Sequence, residues 1–187
     1  MSHGIVSGAA VADIDPHTPA LLQPLARLLL VANRAMLTLG MLALLVASVV
    51  LTYSVVSRYV LKSSTDWQDE AAVFCLVGAT FLCSAFVQSM RGHVGIEALA
   101  GLLPSVINKV RLLLVDLMAT LFCAFFAWKS WTLFHEAWVD NQTTSSSWAP
   151  PLWIPYGLMS LGMTLLTLQL LVQLTARLNH VAKGARS

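Results

Sequence analysis

Long stretches without charged residues constrain the fold of this chain more than any other feature. Residues 35–57, 71–90 and 141–176 contain no Asp, Glu, Lys or Arg. At about 1.5 Å per residue, a helix of ~20 apolar residues crosses the roughly 30 Å hydrocarbon core of a bilayer. Another apolar stretch follows Pro104 and includes Asp116, and we predict one long, protruding or tilted helix there. The sequence therefore predicts an all-α protein with four transmembrane helices, over residues 35–57, 71–90, 106–134 and 152–176.

Composition supports a membrane protein and argues against several other classes. Hydrophobic residues make up 57% of the chain and charged residues 11%, whereas soluble domains are about 25% charged. The formal net charge of +2 provides no basic surface that could neutralise many phosphates, so no nucleic-acid partner is expected. The three cysteines lie inside apolar runs and form no CxxC motif, which argues against a zinc site or a dithiol redox centre. We interpret them as small buried side chains.

The segments outside the four predicted spans differ from them in composition and in predicted structure. Residues 20–34 place Gln23, Arg27 and Arg34 on one side at helical spacing, which predicts an amphipathic helix at the membrane surface. Residues 1–19 contain no Lys or Arg and no signal-peptide pattern, and we expect a flexible cytoplasmic tail. We expect a four-helix membrane domain over 20–178, a short cytoplasmic connector helix between helices two and three, and a second cytoplasmic tail over 179–187.

The distribution of basic residues predicts the orientation of the chain. Of the 11 Lys and Arg, only Arg58, Lys62 and Lys129 fall on the side opposite the termini. Because basic residues are retained in the cytoplasm, both termini are predicted to be cytoplasmic. All six tryptophans belong to the opposite, outer ends of the spans or to the outer loops: Trp67, Trp128, Trp131, Trp138, Trp148 and Trp153.

The segment TDWQDE, residues 65–70, opens the second predicted span. Thr65 and Gln68 have capping-box spacing, and the acidic residues suit the positive end of a helix. Capping does not explain Trp67, and Glu70 lies where the helix enters lipid. A contact role for these two residues and a purely capping role both remain open.

The cytoplasmic hairpin contains a second polar cluster, Arg91, His93 and Glu97. His93 and Glu97 have i, i+4 spacing, yet no third metal ligand is near and HExxH is absent. No metal site and no cofactor is therefore expected. The cluster belongs either to a connector that lies on the bilayer or to a contact with another subunit.

Asp116 is the one acidic residue well inside an apolar run. An intramembrane carboxylate suggests function, but we favour a structural role, with Asp116 near the cytoplasmic interface and hydrated or hydrogen-bonded to another helix. One acid without basic or polar companions is too little for a proton relay. On helix two, Ala72, Cys75, Ala79 and Cys83 form a stripe of small residues that allows close approach of a helix of this chain or of a second protein.

Several short motifs in order resemble the DctQ-like family, the small membrane subunit of tripartite ATP-independent periplasmic (TRAP) transporters. Four spans with cytoplasmic termini carry W-x-x-E, then R-x-H-x-x-x-E followed by Leu-Pro, and a proline-rich start of helix four, APPLWIPYG. The resemblance covers roughly residues 34–177, with Glu97 where many members are expected to have Asp. The matching contact candidates are Trp67, Glu70, Arg91, His93, Glu97, Pro151, Trp153, Pro155 and Gly157.

The resemblance implies a multi-pass protein of the bacterial inner membrane that is not an enzyme. Its expected partners are a large (DctM-like) permease subunit, a periplasmic (DctP-like) substrate-binding protein and membrane lipid. The large subunit would move an organic acid together with sodium and would bind the sodium itself. The small subunit would then be a scaffold without substrate, catalytic or metal site.

Two other classes of protein are alternatives to this interpretation. An autonomous small four-helix transporter or channel would need a central membrane-embedded carboxylate, and Asp116 is the only candidate. A membrane enzyme such as a quinone-linked thiol oxidase would need paired cysteines on the outer side, and the sequence has none.

Overall fold

The computed structural model describes residues 19, 22–62, 66–91 and 105–184, and over these ranges the chain is all-helical without a strand. Four helices are present: α1 (Gln23–Val56), α2 (Asp66–Arg91), α3 (Ser105–Val139) and α4 (Trp153–Gly184). Each provides a segment long and apolar enough to cross a membrane: Gln23–Leu61, which includes the turn that follows α1, Trp67–Met90, Val110–Val139 and Trp153–Asn179. The predicted all-α class with four membrane-spanning helices is thereby confirmed.

Helix α1 is longer than the predicted first span. It is continuous from Gln23, so residues 23–34 form no separate element. No helix-breaking residue separates them from the span, and Ala26 and Leu29 are buried in a cluster with Val172 of α4. At its other end α1 passes into a π-helical turn, Ser57–Leu61, and Lys62 then takes a left-handed conformation with φ of 50°. The predicted connector between α2 and α3 lies outside the described residues.

The helices pack in the order α1, α2, α4, α3. Helix α2 packs against α1 and α4, α3 packs mainly against α4, and α1 reaches α4 at the end that carries Ala26 and Leu29. Accordingly, 28% and 33% of the residues in the most apolar parts of α2 and α4 are buried, against 11% in those of α1 and α3. The four helices form an open row in which α1 and α3 are the edges.

Glycines allow the closest approaches between neighbouring helices. Gly40 of α1 is buried against Ala79 and Cys83 of α2, so this part of the small-residue stripe packs within the chain. Gly162 of α4 lies directly against the backbone of Phe81 of α2. Helix α2 therefore meets a glycine of the neighbouring helix on both of its packed sides. Small residues at such contacts let helices approach each other closely in lipid.

The loop between α3 and α4 folds back on itself. Asn141, two residues after the end of α3, has a left-handed φ of 48°. The Gln142 N–H donates to the Ala137 carbonyl at 3.1 Å, which is the Schellman arrangement at a helix C-terminus. The Leu152 N–H donates to the Gln142 carbonyl at 2.9 Å, and Thr143 forms a β-bridge with Pro151. This closed loop holds the start of α4 close to the end of α3.

Candidate functional site

An ion pair joins α3 and α4 inside their apolar segments. Arg177 Nη1 lies 2.9 Å from Asp116 Oδ2, and 31% and 21% of the two side chains are exposed. Neither atom makes an aligned hydrogen bond to a described residue, so the contact is electrostatic. The sequence-based expectation that Asp116 has no basic companion is wrong, because antiparallel packing of α3 and α4 brings the last part of α4 beside the first part of α3.

Two pairs of amide side chains connect α4 to α1 and to α2, in the half of the row that contains Asp116 and Arg177. Asn33 of α1 is fully buried and donates to Gln169 of α4 at 3.1 Å. Gln88 of α2 donates to Gln173 of α4 at 3.0 Å, and Gln173 donates back to the Gln88 carbonyl at 3.1 Å. These contacts satisfy amide groups that would otherwise face hydrocarbon, except Asn33 Oδ1, which has no partner among the described residues. These pairs were not predicted from the sequence, where their only signal is the presence of amide residues inside otherwise apolar runs.

At the opposite end, charged and hydroxyl groups join α1 to α2. Arg58 donates to Asp69 Oδ2 at 3.0 Å, and the buried Ser54 hydroxyl donates to Asp69 Oδ1 at 3.1 Å. Both ends of the Arg58–Asp69 pair are more than half exposed, so the pair itself contributes little stability. Glu70 is half-buried, and its Oε2 is shielded from solvent without a hydrogen-bond partner among the described residues.

Tryptophans gather at the end where α2 and α4 begin and α3 ends. Trp67 of α2 meets Trp148 of the α3–α4 loop edge to face, with ring centroids 6.5 Å apart. Trp138 and Trp153 meet in the same manner at 5.0 Å. The Trp131 indole N–H also donates to the Thr164 hydroxyl of α4 at 3.0 Å. The loop therefore extends the tryptophan surface from α3 and α4 to α2.

The structure brings some of the contact candidates named above close together and separates others. Trp67 and Glu70 lie in the first turn or two of α2, and Pro151 and Trp153 lie at the start of α4. Pro155 is buried, and a Cβ placed on Gly157 would lie 3.2 Å from the Phe134 ring. Arg91 is the last residue of α2, at the other end of the row. His93 and Glu97 lie outside the described residues.

These arrangements offer no reaction chemistry within the described part of the chain. No group of three or more His, Cys, Asp or Glu residues there is placed to hold a metal ion. Cys75, Cys83 and Cys123 are free thiols on separate turns of apolar helices. The embedded ionic and amide groups are directed mainly at each other. This is a multi-pass helical membrane protein whose polar contacts hold its own helices together.

Comparison with known proteins assigns the chain to a family. The family of the DctQ component of tripartite ATP-independent periplasmic transporters matches residues 45–180. The chain belongs to this family and is therefore a small subunit of a TRAP transporter, a transporter component and not a member of an enzyme family. No curated protein and no solved structure shows significant similarity to the chain. The resemblance inferred from the short motifs is confirmed.

Proposed function

We propose that this chain is the scaffold subunit of a transporter in which a large permease subunit carries the transport pathway. The observation that supports this most directly is the open row of helices, whose embedded charged pair, Asp116 and Arg177, is mutually neutralised. An ion or anion crossing about 30 Å of hydrocarbon needs compensating charges or broken helices along its route. Among the described residues, the four helices enclose no such route.

The same observations argue against the autonomous transporter or channel. Such a protein would need an unpaired embedded carboxylate that faces a pathway, and the candidate, Asp116, lies 2.9 Å from an arginine. The substrate would instead be an organic acid that the large subunit moves in symport with sodium. A periplasmic binding protein would deliver it, and sodium would bind to the large subunit, so the small chain needs no cofactor.

We assign the protein to the bacterial inner membrane with both termini in the cytoplasm. The support is the excess of Lys and Arg at the ends of the helices nearest the termini. Trp67, Trp138, Trp148 and Trp153 group at the opposite end, which fits the periplasmic interface of the inner membrane.

A reporter fused at Ser187 tests this topology. An alkaline phosphatase fusion, which is active only outside the cytoplasm, should be inactive, and a green fluorescent protein fusion at the same residue should fluoresce. The matched control is a phosphatase inserted after Ser145 in the α3–α4 loop, which should be active. Activity at Ser187 with silence at Ser145 would reverse the orientation.

The contact candidates divide between the two sides of the membrane in this proposal. Arg91, His93 and Glu97 serve assembly on the cytoplasmic side, by contacting the large subunit or by positioning the connector. Trp67 and Glu70, with Pro151, Trp153, Pro155 and Gly157, shape the outer end. Glu70 is half-buried and its Oε2 is shielded within the chain, so its expected role is to shape this end of α2.

Reconstitution of the purified chain tests the scaffold function. Alone in proteoliposomes, it should give no sodium-driven uptake of any small carboxylate, because the embedded Arg177 is already paired with Asp116 and cannot compensate the charge of a crossing anion. Addition of the large subunit and the binding protein should produce uptake, and omission of this chain from the full set should reduce it. Substrate-dependent current from the chain alone would refute the proposal and would direct attention to Asp116.

A further inference from the structure

Lys129 is a charged residue on the free face of an edge helix. It belongs to α3, which packs mainly against α4, and its side chain is exposed. Phe122, Phe126 and Leu133 lie on the same face at helical spacing and are 66%, 36% and 42% exposed. Lys129 therefore places a positive charge among exposed apolar side chains.

The contacts between α3 and α4 give the depth of Lys129 in the row. The two helices are antiparallel, and the Trp131 indole N–H donates to the Thr164 hydroxyl. Lys129 is two residues closer to the start of α3 and so lies at the level of Leu166. The apolar segment of α4 runs over Trp153–Asn179, and Leu166 is its midpoint. Lys129 therefore lies near the middle of the membrane-spanning part of the row.

A lysine at this depth cannot reach water across lipid. A hydrocarbon core of about 30 Å has its surfaces about 15 Å from the middle, whereas the four-carbon side chain of lysine spans about 6 Å. Lys129 thus lies deeper than its place among the outer basic residues implies. Without it, the excess of basic residues on the cytoplasmic side is larger.

No described residue neutralises Lys129. Its Nζ lies 5.2 Å from the centre of the Trp128 ring, an attraction that supplies no counter-charge. Glu136 lies about 10 Å further along the same face and forms no ion pair with it. Asp116 lies about 20 Å away along α3 and is paired with Arg177. An unpaired charge in hydrocarbon is costly, so embedded lysines face water or pair with an acid.

We propose that Lys129 forms an ion pair inside the membrane with an aspartate or glutamate of the large permease subunit, and that the surrounding face of α3 docks on that subunit. The inference rests on the proposed function, which supplies the large subunit as a membrane-embedded partner. A second copy of this chain would not serve, because its described residues offer no unpaired acid at this depth. Lipid phosphates lie at the membrane interface, out of reach of the side chain.

Association of the chain with the large subunit in liposomes tests this ion pair. Energy transfer between the two labelled proteins, followed as added lipid dilutes them, measures their affinity. Lys129→Met, which keeps the length but not the charge, should weaken association about tenfold because it leaves the partner's carboxylate unpaired. Lys129→Arg should retain most of the affinity. Lys62→Met is the matched control, since Lys62 is also exposed but follows α1 at the outer end, and it should have no effect.

The stability of the isolated chain separates loss of a contact from misfolding. Lys129→Met should leave its unfolding temperature in nanodiscs unchanged or higher, because the variant removes an unpaired charge from lipid. A lower unfolding temperature, unchanged association of Lys129→Met, or an equal loss in Lys62→Met would overturn the inference.

A charge exchange identifies the partner residue. Lys129→Glu should abolish association, and lysine in place of one embedded acid of the large subunit should restore it. If lysine at none of these acids restored association, the ion pair would be refuted.

Other partners of Lys129 would give different results. An effect of Lys129→Met on the isolated chain that appears only in liposomes containing phosphatidylglycerol would mean a lipid phosphate. Normal association with a changed half-saturating substrate concentration would mean the transported acid. Either result would overturn the inference. Failure of the wild-type chain to associate with the large subunit would instead refute the scaffold proposal, and the inference with it.

Discussion

Replacement of Asp116 by leucine is expected to destabilise the packing of α3 against α4 by about 2–3 kcal/mol. The substitution leaves the Arg177 guanidinium, only 31% exposed, without its partner 2.9 Å away. Loss of one member of a buried ion pair costs more than the pair contributes, because the remaining charge is desolvated without compensation. Thermal unfolding of the chain in lipid nanodiscs, followed by tryptophan fluorescence, measures the loss.

The double variant Asp116→Leu with Arg177→Leu is the control for this prediction. With both charges removed, no unpaired charge remains, so the double variant should be more stable than either single variant. The exchanged pair, Asp116→Arg with Arg177→Asp, should recover part of the stability. Strictly additive losses would show that the two side chains do not interact, and would contradict the ion pair as the contact between α3 and α4.

Replacement of Gly162 by alanine is expected to disrupt the contact between α2 and α4. A Cβ at this position would lie 2.8 Å from Phe81 Cβ and would meet the Phe81 carbonyl group even more closely. Carbon atoms pack best at about 3.5–4.0 Å, so the two helix backbones would have to separate. We expect a loss of about 2–3 kcal/mol, a reduced yield of folded chain and weaker assembly with the large subunit.

Gly78→Ala is the matched control, because Gly78 lies on the same pair of helices. Its Cβ would meet only the end of the Leu158 side chain, 3.0 Å from Cδ1, and that side chain can rotate away. Alanine also favours helix by about 1 kcal/mol relative to glycine, so this variant should be nearly neutral. Equal stability of the two variants, measured by the same unfolding experiment, would contradict the close approach at Gly162.

These two contacts bear on function because α4 is the centre of the assembly within the chain. It packs against α2 through Gly162 and against α3 through Arg177, while Asn33 of α1 reaches it through Gln169. Loosening the contact at Gly162 separates α1 and α2 from α4, and loosening the contact at Arg177 separates the edge helix α3 from α4. A scaffold subunit with a loosened row would present its outer surfaces to partners in the wrong relative positions.

The number of membrane-spanning helices, their approximate extent and the family could all be predicted from the sequence. The physical reason is that a hydrocarbon core demands long uncharged runs with internally satisfied backbones, so such runs are visible in one dimension. The grouping of tryptophans at one end could be predicted for the same reason, since the membrane interface selects them at every span. Short motifs such as W-x-x-E and APPLWIPYG then sufficed to recognise the family.

Which helices are neighbours could not be predicted from the sequence and is seen only in the folded chain. In lipid, the side of a helix that faces another helix is no more apolar than the side that faces acyl chains, so the sequence carries no strong periodic signal of packing. The order α1, α2, α4, α3, the pairing of Asp116 with Arg177 and the contact between Trp138 and Trp153 all depend on that arrangement. The close approach at Gly162 depends on shape alone. A glycine inside an apolar run does not show which neighbouring backbone will pack against it.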